Sequence, residues 1–224
     1  MKGKLFLVAT PIGNLDDTTL RAIETLKEVD LILAEDTRRT KILLDYYQIK
    51  KPMISFFEGN EERKIPQVLA KLTQGQNIAQ VSDSGTPLIS DPGFKLVREA
   101  IKESIEVESI PGPSAVLTAL TISGLPPDKF LFLGYLPKRP GKRNQILKNI
   151  QLINQLIKIT LILFESPHRL IKTLEDLKEV FGEIEIVVCR ELTKIHQEVR
   201  REKISQSLAH FNQIKPKGEL TILF

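Results

Sequence analysis

Between residues 4 and 112, five short apolar runs alternate with stretches whose apolar positions fall three or four apart, and this alternation constrains the fold more than any other feature. The runs cover 5–10, 31–34, 53–56, 78–81 and 105–109. Between them lie Leu20, Ile23, Leu26 and Val29, then 42–46, then Ile65, Val68, Leu69 and Leu72, then 94–101. Period-2 or continuous apolar runs read as strands, and 3.6-residue periodicity reads as amphipathic helix. Strand–helix alternation at this spacing predicts a mostly parallel sheet with helices on both faces. Thr18 or Thr19 suits the cap of the first helix, and Asp36 or Thr37 that of the second. Ligands of such sheets sit beyond the carboxyl ends of the strands.

After residue 112 the pattern changes. Prolines at 111, 113, 126 and 127 mark a hinge region around a helix at 115–122. A strand at 130–134 leads into the basic stretch LPKRPGKRNQ, which reads as an exposed, mobile loop. A helical stretch, a strand at 160–165, a helix after Pro167, strands at 184–191 and 197–203, a helix near 204–214 and the terminal GELTILF complete the chain. Two successive strands without a helix between them imply a mixed sheet. The expected class is α/β with two α/β domains, 1–113 and 114–224, and a cleft between them.

No apolar run is long enough for a membrane span; the longest candidate, 157–164, contains Lys158 and Thr160. The N-terminal MKGKLF lacks the apolar core of a secretion signal. Cys189 is the only cysteine, and His168, His196 and His210 are not at metal-site spacing. A cytoplasmic protein without membrane or metal is expected. The net charge of +4 is concentrated at Lys138, Arg139, Lys142, Arg143 and Lys148, and again at Arg200, Arg201 and Lys203. Clustered cations suit phosphate backbones, which release counterions when neutralised; a solvated face is the competing reading. Dinucleotide and P-loop glycine motifs, the serine-hydrolase elbow and the HExxH zinc motif are absent.

Several loops could carry chemistry. VATPIGNLDDTT (8–19) puts Pro11, Gly13 and Asn14 directly after a strand, more than a plain connection requires. VSDSGTPLISDPG (81–93) follows another strand, and a loop of this length there is usually functional. Its small residues allow close backbone approach; Asp83 can accept from an amine or ribose hydroxyl, and Ser82, Ser84 and Thr86 can donate or accept. AEDTRRT (34–40) sets Glu35 and Asp36 beside Arg38 and Arg39, as caps or as a pair that positions a polar substrate. In PGPSA, Pro113 and Ser114 suffice to start a helix. LFESPHR and CRELTK end strands in Glu165, Ser166 and His168, and in Arg190, Glu191 and Lys194.

TPIGNLDD, AEDTR, VSDSGTPLISDPG, PGPSA, FESPHR, RELTK and KGE occur in that order, from about Lys4 to Leu223. Together they resemble the ribosomal RNA methyltransferases of the tetrapyrrole methylase family of S-adenosylmethionine enzymes. The resemblance implies two α/β domains, a homodimer, and S-adenosylmethionine in the interdomain cleft. It implies 2′-O-methylation of a cytidine in the decoding region of 16S rRNA, so that the small ribosomal subunit is the partner. Matched to the family's cofactor site are Pro11, Ser82, Asp83, Ser84, Gly85, Thr86, Ile89, Ser114, Ala115, Phe164, Glu165 and Leu192. General-base candidates are Glu35, Asp36, Glu165 and His168; RNA contacts are expected at Arg38, Arg39, Lys138, Arg139, Lys142 and Arg143. Methylation of a tetrapyrrole or other small acceptor, and non-catalytic RNA binding during subunit assembly, are the alternative functions.

Overall fold

Strands β1 (Leu5–Val8), β2 (Leu31–Ala34), β3 (Met53–Ser55), β4 (Ile78–Val81) and β5 (Val107–Ile110) form one sheet in the order β3-β2-β4-β1-β5. Every pairing in it is parallel. All four residues of β2 and of β4 are buried, as expected of central strands covered on both sides. Helices α1 (Leu20–Glu28) and α2 (Thr37–Tyr46) supply Ala22, Leu26 and Leu44 to a core with Val8 and Ile32. Helices α3 (Glu61–Thr73) and α4 (Phe94–Lys102) supply Val68, Leu72, Leu96 and Ala100 to a second core with Leu5 and Leu33. Neighbouring residues of a strand point to opposite faces, so the two cores lie on opposite sides of the sheet. Thr19 and Asp36 cap α1 and α2 with their side chains.

The computed structural model describes residues Met1–Phe224, which divide into units Met1–Ser114 and Ala115–Phe224. In the second unit, α5 (Ala115–Ser123) precedes β6 (Phe130–Tyr135), α6 (Pro140–Leu156), β7 (Thr160–Glu165) and α7 (Leu170–Phe181). Next come β8 (Glu185–Arg190), β9 (Glu198–Lys203), α8 (Ile204–Gln213) and β10 (Leu220–Leu223). Its sheet runs β6-β7-β10-β8-β9, parallel between β6 and β7 and antiparallel elsewhere. Leu147, Leu174 and Phe211, one from each large helix, pack on Leu163, Val188 and Ile222. No helix is long and apolar enough to cross a membrane.

Of the basic stretch at 136–145, only 136–139 is a loop. Helix α6 begins at Pro140, whose missing N–H and fixed φ suit a first turn. Arg143, in that turn, is 3% exposed. Its guanidinium pairs with Asp176 of α7, and Nη1 donates to the carbonyls of Pro137 and Lys138 at 3.3 Å. Arg143 therefore leaves the set of RNA contacts, whereas Lys138, Arg139 and Lys142 remain exposed. The second cation cluster is also engaged. Arg200 binds Glu202 at 2.7 Å, and Arg201 donates to the Ile122 and Ser123 carbonyls at the end of α5.

Replacing Arg143 with Met should cost about 3–5 kcal/mol, because it strands a buried carboxylate. Urea unfolding will measure this, and adding Asp176→Leu should restore much of the loss.

Candidate functional site

In the first unit the chain steps from β1 to β2 to β3 in one direction, then returns to β4 and continues past β1 to β5. Right-handed crossovers in opposite directions place their helices on opposite faces. The loops leaving the neighbouring strands β1 and β4 therefore diverge, and a crevice opens at the shared carboxyl edge. Thr10 and Gly85 bridge these two loops, with Thr10 N donating to Gly85 O at 2.9 Å and Gly85 N to Thr10 O at 3.0 Å. Thr10 Oγ1 donates to Ser82 O at 3.1 Å, and Thr86 Oγ1 to Pro113 O at 3.1 Å. Pro11, Ser82, Gly85, Thr86 and the approach to Ser114 thus converge, although they come from three separate loops.

The 81–93 loop is strained. Leu88 and Ser90 have φ of 73° and 68°, which places the exposed Ile89 between two left-handed residues. Ser82 is 3% exposed, yet its hydroxyl has no hydrogen-bond partner. Buried hydroxyls are normally satisfied, so this one is a natural contact for a bound group. Gly93 has φ of 122°, and a Cβ there would overlap the Gln80 amide, so only glycine fits. Its N–H donates to the Glu61 carboxylate at 3.1 Å, which fixes the start of α4.

The base candidates are three carboxylates and one histidine, and the structure gives each a different environment. Asp36 accepts from Arg38 N at 2.9 Å and grips the Arg38 guanidinium at 2.6 Å, which holds its carboxyl far below the usual range. It serves as a cap and an ion-pair partner. Glu165 is 1% exposed and accepts from Ser166 N at 2.7 Å and Thr173 Oγ1 at 2.5 Å. Arg169 lies 3.4 Å away, so the Glu165 carboxylate is enclosed by partners of its own unit. His168 is exposed and bonds to nothing. Glu35, half-buried, has its pKa raised by burial and then by the charge of Asp83.

Asp83 also has a role within the protein itself. One carboxylate oxygen accepts from Asp36 N at 2.9 Å and the other faces Arg39 at 3.5 Å, so it ties the β2 and β4 loops together. In the second unit, β10 lies between β7 and β8, pairing Leu220 with both Glu165 and Arg190. Phe164, Glu165 and the buried Leu192 are consequently brought to one sheet edge. The RELTK and KGE motifs join there: Glu191 Oε1 accepts from Glu219 N at 2.9 Å and from Lys194 at 2.9 Å. Gly218, at φ 85°, leaves room for the Glu191 side chain. These two motifs form a structural clasp, so Arg190, Glu191 and Lys194 need no ligand to explain them.

The family model for Tetrapyrrole (Corrin/Porphyrin) Methylases matches residues 4–207. The chain belongs to the tetrapyrrole methylase family. This methylase is 50% identical over 221 residues to the ribosomal RNA small subunit methyltransferase I of Thermotoga maritima, covering 99% of this chain and 97% of that protein. It is 44% identical to the protein of the same name from Escherichia coli O157:H7, covering 99% and 77%. Among solved structures it resembles uroporphyrin-III C-methyl transferase from Thermus thermophilus complexed with S-adenosyl homocysteine, with a TM-score of 0.69, 18% identity and coverage of 99% and 97%. Diphthine synthase gives a TM-score of 0.74 at 12% identity, covering 99% and 90%. Likeness at such identities shows the fold alone.

The sequence pattern passed over a cleft of about 340 Å³ in the first unit of this methylase, bounded by Glu35, Glu58, Ser90, Phe94 and Lys95. Its walls come from three separate segments, and exposed Phe94 looks in sequence like any apolar residue of α4.

Asp83→Asn retains the acceptor for Asp36 N and removes the charge that raises Glu35. The Glu35 carboxyl should then titrate at lower pH than in the parent chain, as read by carbon-13 NMR of labelled glutamate.

Proposed function

We propose that this chain transfers a methyl group from S-adenosylmethionine to the ribose 2′-hydroxyl of a cytidine in the decoding region of 16S rRNA, within the small ribosomal subunit. The observation that carries the reading is 50% identity, over 99% of the chain, to a protein named ribosomal RNA small subunit methyltransferase I. When bound, S-adenosylmethionine supplies an activated methyl on a sulfonium. Pro11, Ser82, Asp83, Ser84, Gly85, Thr86, Ile89 and Ser114 of the first unit would hold it. The unpartnered Ser82 hydroxyl and the bridged Thr10–Gly85 loops suit that group. In this reading the protein is a cytoplasmic homodimer. The exposed Leu152, Leu156 and Ile157 near the end of α6 suit a surface covered by a second copy.

The residues of the chain contribute alignment and proton removal. Alignment of hydroxyl and methyl is worth on the order of 7–11 kcal/mol at best. The 2′-hydroxyl is a weak nucleophile while protonated, and in this reading Glu35 takes its proton. Its raised pKa makes it a stronger base than the clamped Asp36. Arg38, 89% exposed at its side chain, Arg39, and Lys138, Arg139 and Lys142 supply cations for the flanking phosphates.

Tritiated methyl transfer to small subunits tests the reading; label that enters only a small molecule overturns it. Glu35→Gln should lower kcat on small subunits roughly 10²- to 10⁴-fold with S-adenosylmethionine affinity unchanged. In a separate experiment, alanine at Lys138, Arg139 and Lys142 together should weaken subunit binding. It should also lower the slope of log affinity against log salt by up to about 2. Equal binding across a salt series would make this stretch a solvated helix start.

A further inference from the structure

We infer that the cleft bounded by Glu35, Glu58, Ser90, Phe94 and Lys95 receives the base of the acceptor nucleotide and selects a base bearing an exocyclic amine. This rests on the rRNA-methylation reading above. Phe94 opens α4 with 64% of its surface exposed, although an aromatic ring left in water gains nothing for folding. The backbone that carries it is nevertheless fixed. Gly93 before it donates to the Glu61 carboxylate, the Gln80 amide donates to the Pro92 carbonyl at 2.7 Å, and the Arg98 guanidinium lies 5.8 Å from the ring centroid. An exposed ring at a cleft is a stacking face, and any nucleobase can use one. A nucleotide whose ribose is to be methylated must leave its stack to enter a pocket, which creates the need for such a face.

The polar lining decides which base. Lys95 is held by Glu62 at 2.6 Å and Glu61 at 3.3 Å, so its charge is already committed. Glu58 is exposed and makes no hydrogen bond or ion pair, leaving its carboxylate as a free acceptor. Acceptor-rich walls repel phosphate, so the occupant is the base and not the backbone. A carboxylate accepts from the cytosine N4 amine, whereas uracil presents a carbonyl oxygen at the same place and is repelled. Glu35 belongs to the same cleft, which puts the base pocket beside the carboxylate assigned to the ribose.

The test uses the full chain with S-adenosylmethionine and reconstituted small subunits bearing either cytidine or uridine at the acceptor position. Phe94→Ala should lower kcat/KM on the cytidine subunits roughly ten- to a hundredfold, and Phe94→Tyr should retain most of the activity. Glu58→Gln should shrink the preference for cytidine over uridine by about tenfold. Calorimetric affinity for S-adenosylmethionine and the melting temperature should stay at parental values in all three. If both Phe94→Ala and Glu58→Gln keep parental rates and preference, the cleft does not hold the base. Loss of cofactor affinity or stability alongside activity in Phe94→Ala would make the ring structural and overturn the stacking role. A parent chain that methylates no small subunit overturns the rRNA reading itself, and this inference with it.

Discussion

Two backbone hydrogen bonds between Thr10 and Gly85 hold together loops that the crossover topology would otherwise send apart. The loops leave adjacent parallel strands toward opposite faces, so a crevice between them is obligatory, but its shape is not. The bridge supplies the shape, and the Thr10 hydroxyl on the Ser82 carbonyl reinforces it. Once these loops are pinned, Ser82 is buried with its own hydroxyl unpaired and the 81–93 segment must turn through left-handed Leu88 and Ser90. Strain of this kind, of order 1–3 kcal/mol per residue, persists only where surrounding contacts enforce it.

Electrostatics at the same edge follow from one carboxylate. Asp83 bonds the Asp36 amide and faces Arg39, which joins the second loop to the fourth. The same negative charge, added to burial, keeps Glu35 from ionising at an ordinary carboxylate pH. Asp36 is drawn the opposite way by Arg38. Adjacent acids in the chain thus acquire opposed properties, a division that suits one structural cap and one proton acceptor.

The second unit shows motif residues serving architecture. Glu191 receives the Glu219 amide and the Lys194 ammonium while Gly218 leaves space for its side chain, so two motifs far apart in sequence form one clasp. Arg143 and Asp176 lock α6 to α7 in the same spirit. Both arrangements explain particular residues without any ligand.

The sequence by itself determined the alternation of strands and helices, the parallel character of the first sheet and the mixed second sheet, and it narrowed each of the first two helix caps to a pair of neighbours, Thr18 or Thr19 and Asp36 or Thr37, from which the structure selects Thr19 and Asp36. Each of these depends on local periodicity or on short-range hydrogen bonding, and so is legible along the chain. Strand ends were less legible: β1 stops at Val8 because Thr10 pairs with Gly85 instead of a strand neighbour. Tertiary structure alone decided which charged residues are free. Arg143 lies among cations that look identical in sequence, and only Asp176, on another helix, buries it. Glu165 looked as available as Glu35 until Thr173 and Ser166 enclosed it. Burial and charge pairing depend on partners distant in the chain, and those partners are fixed only when the helices pack.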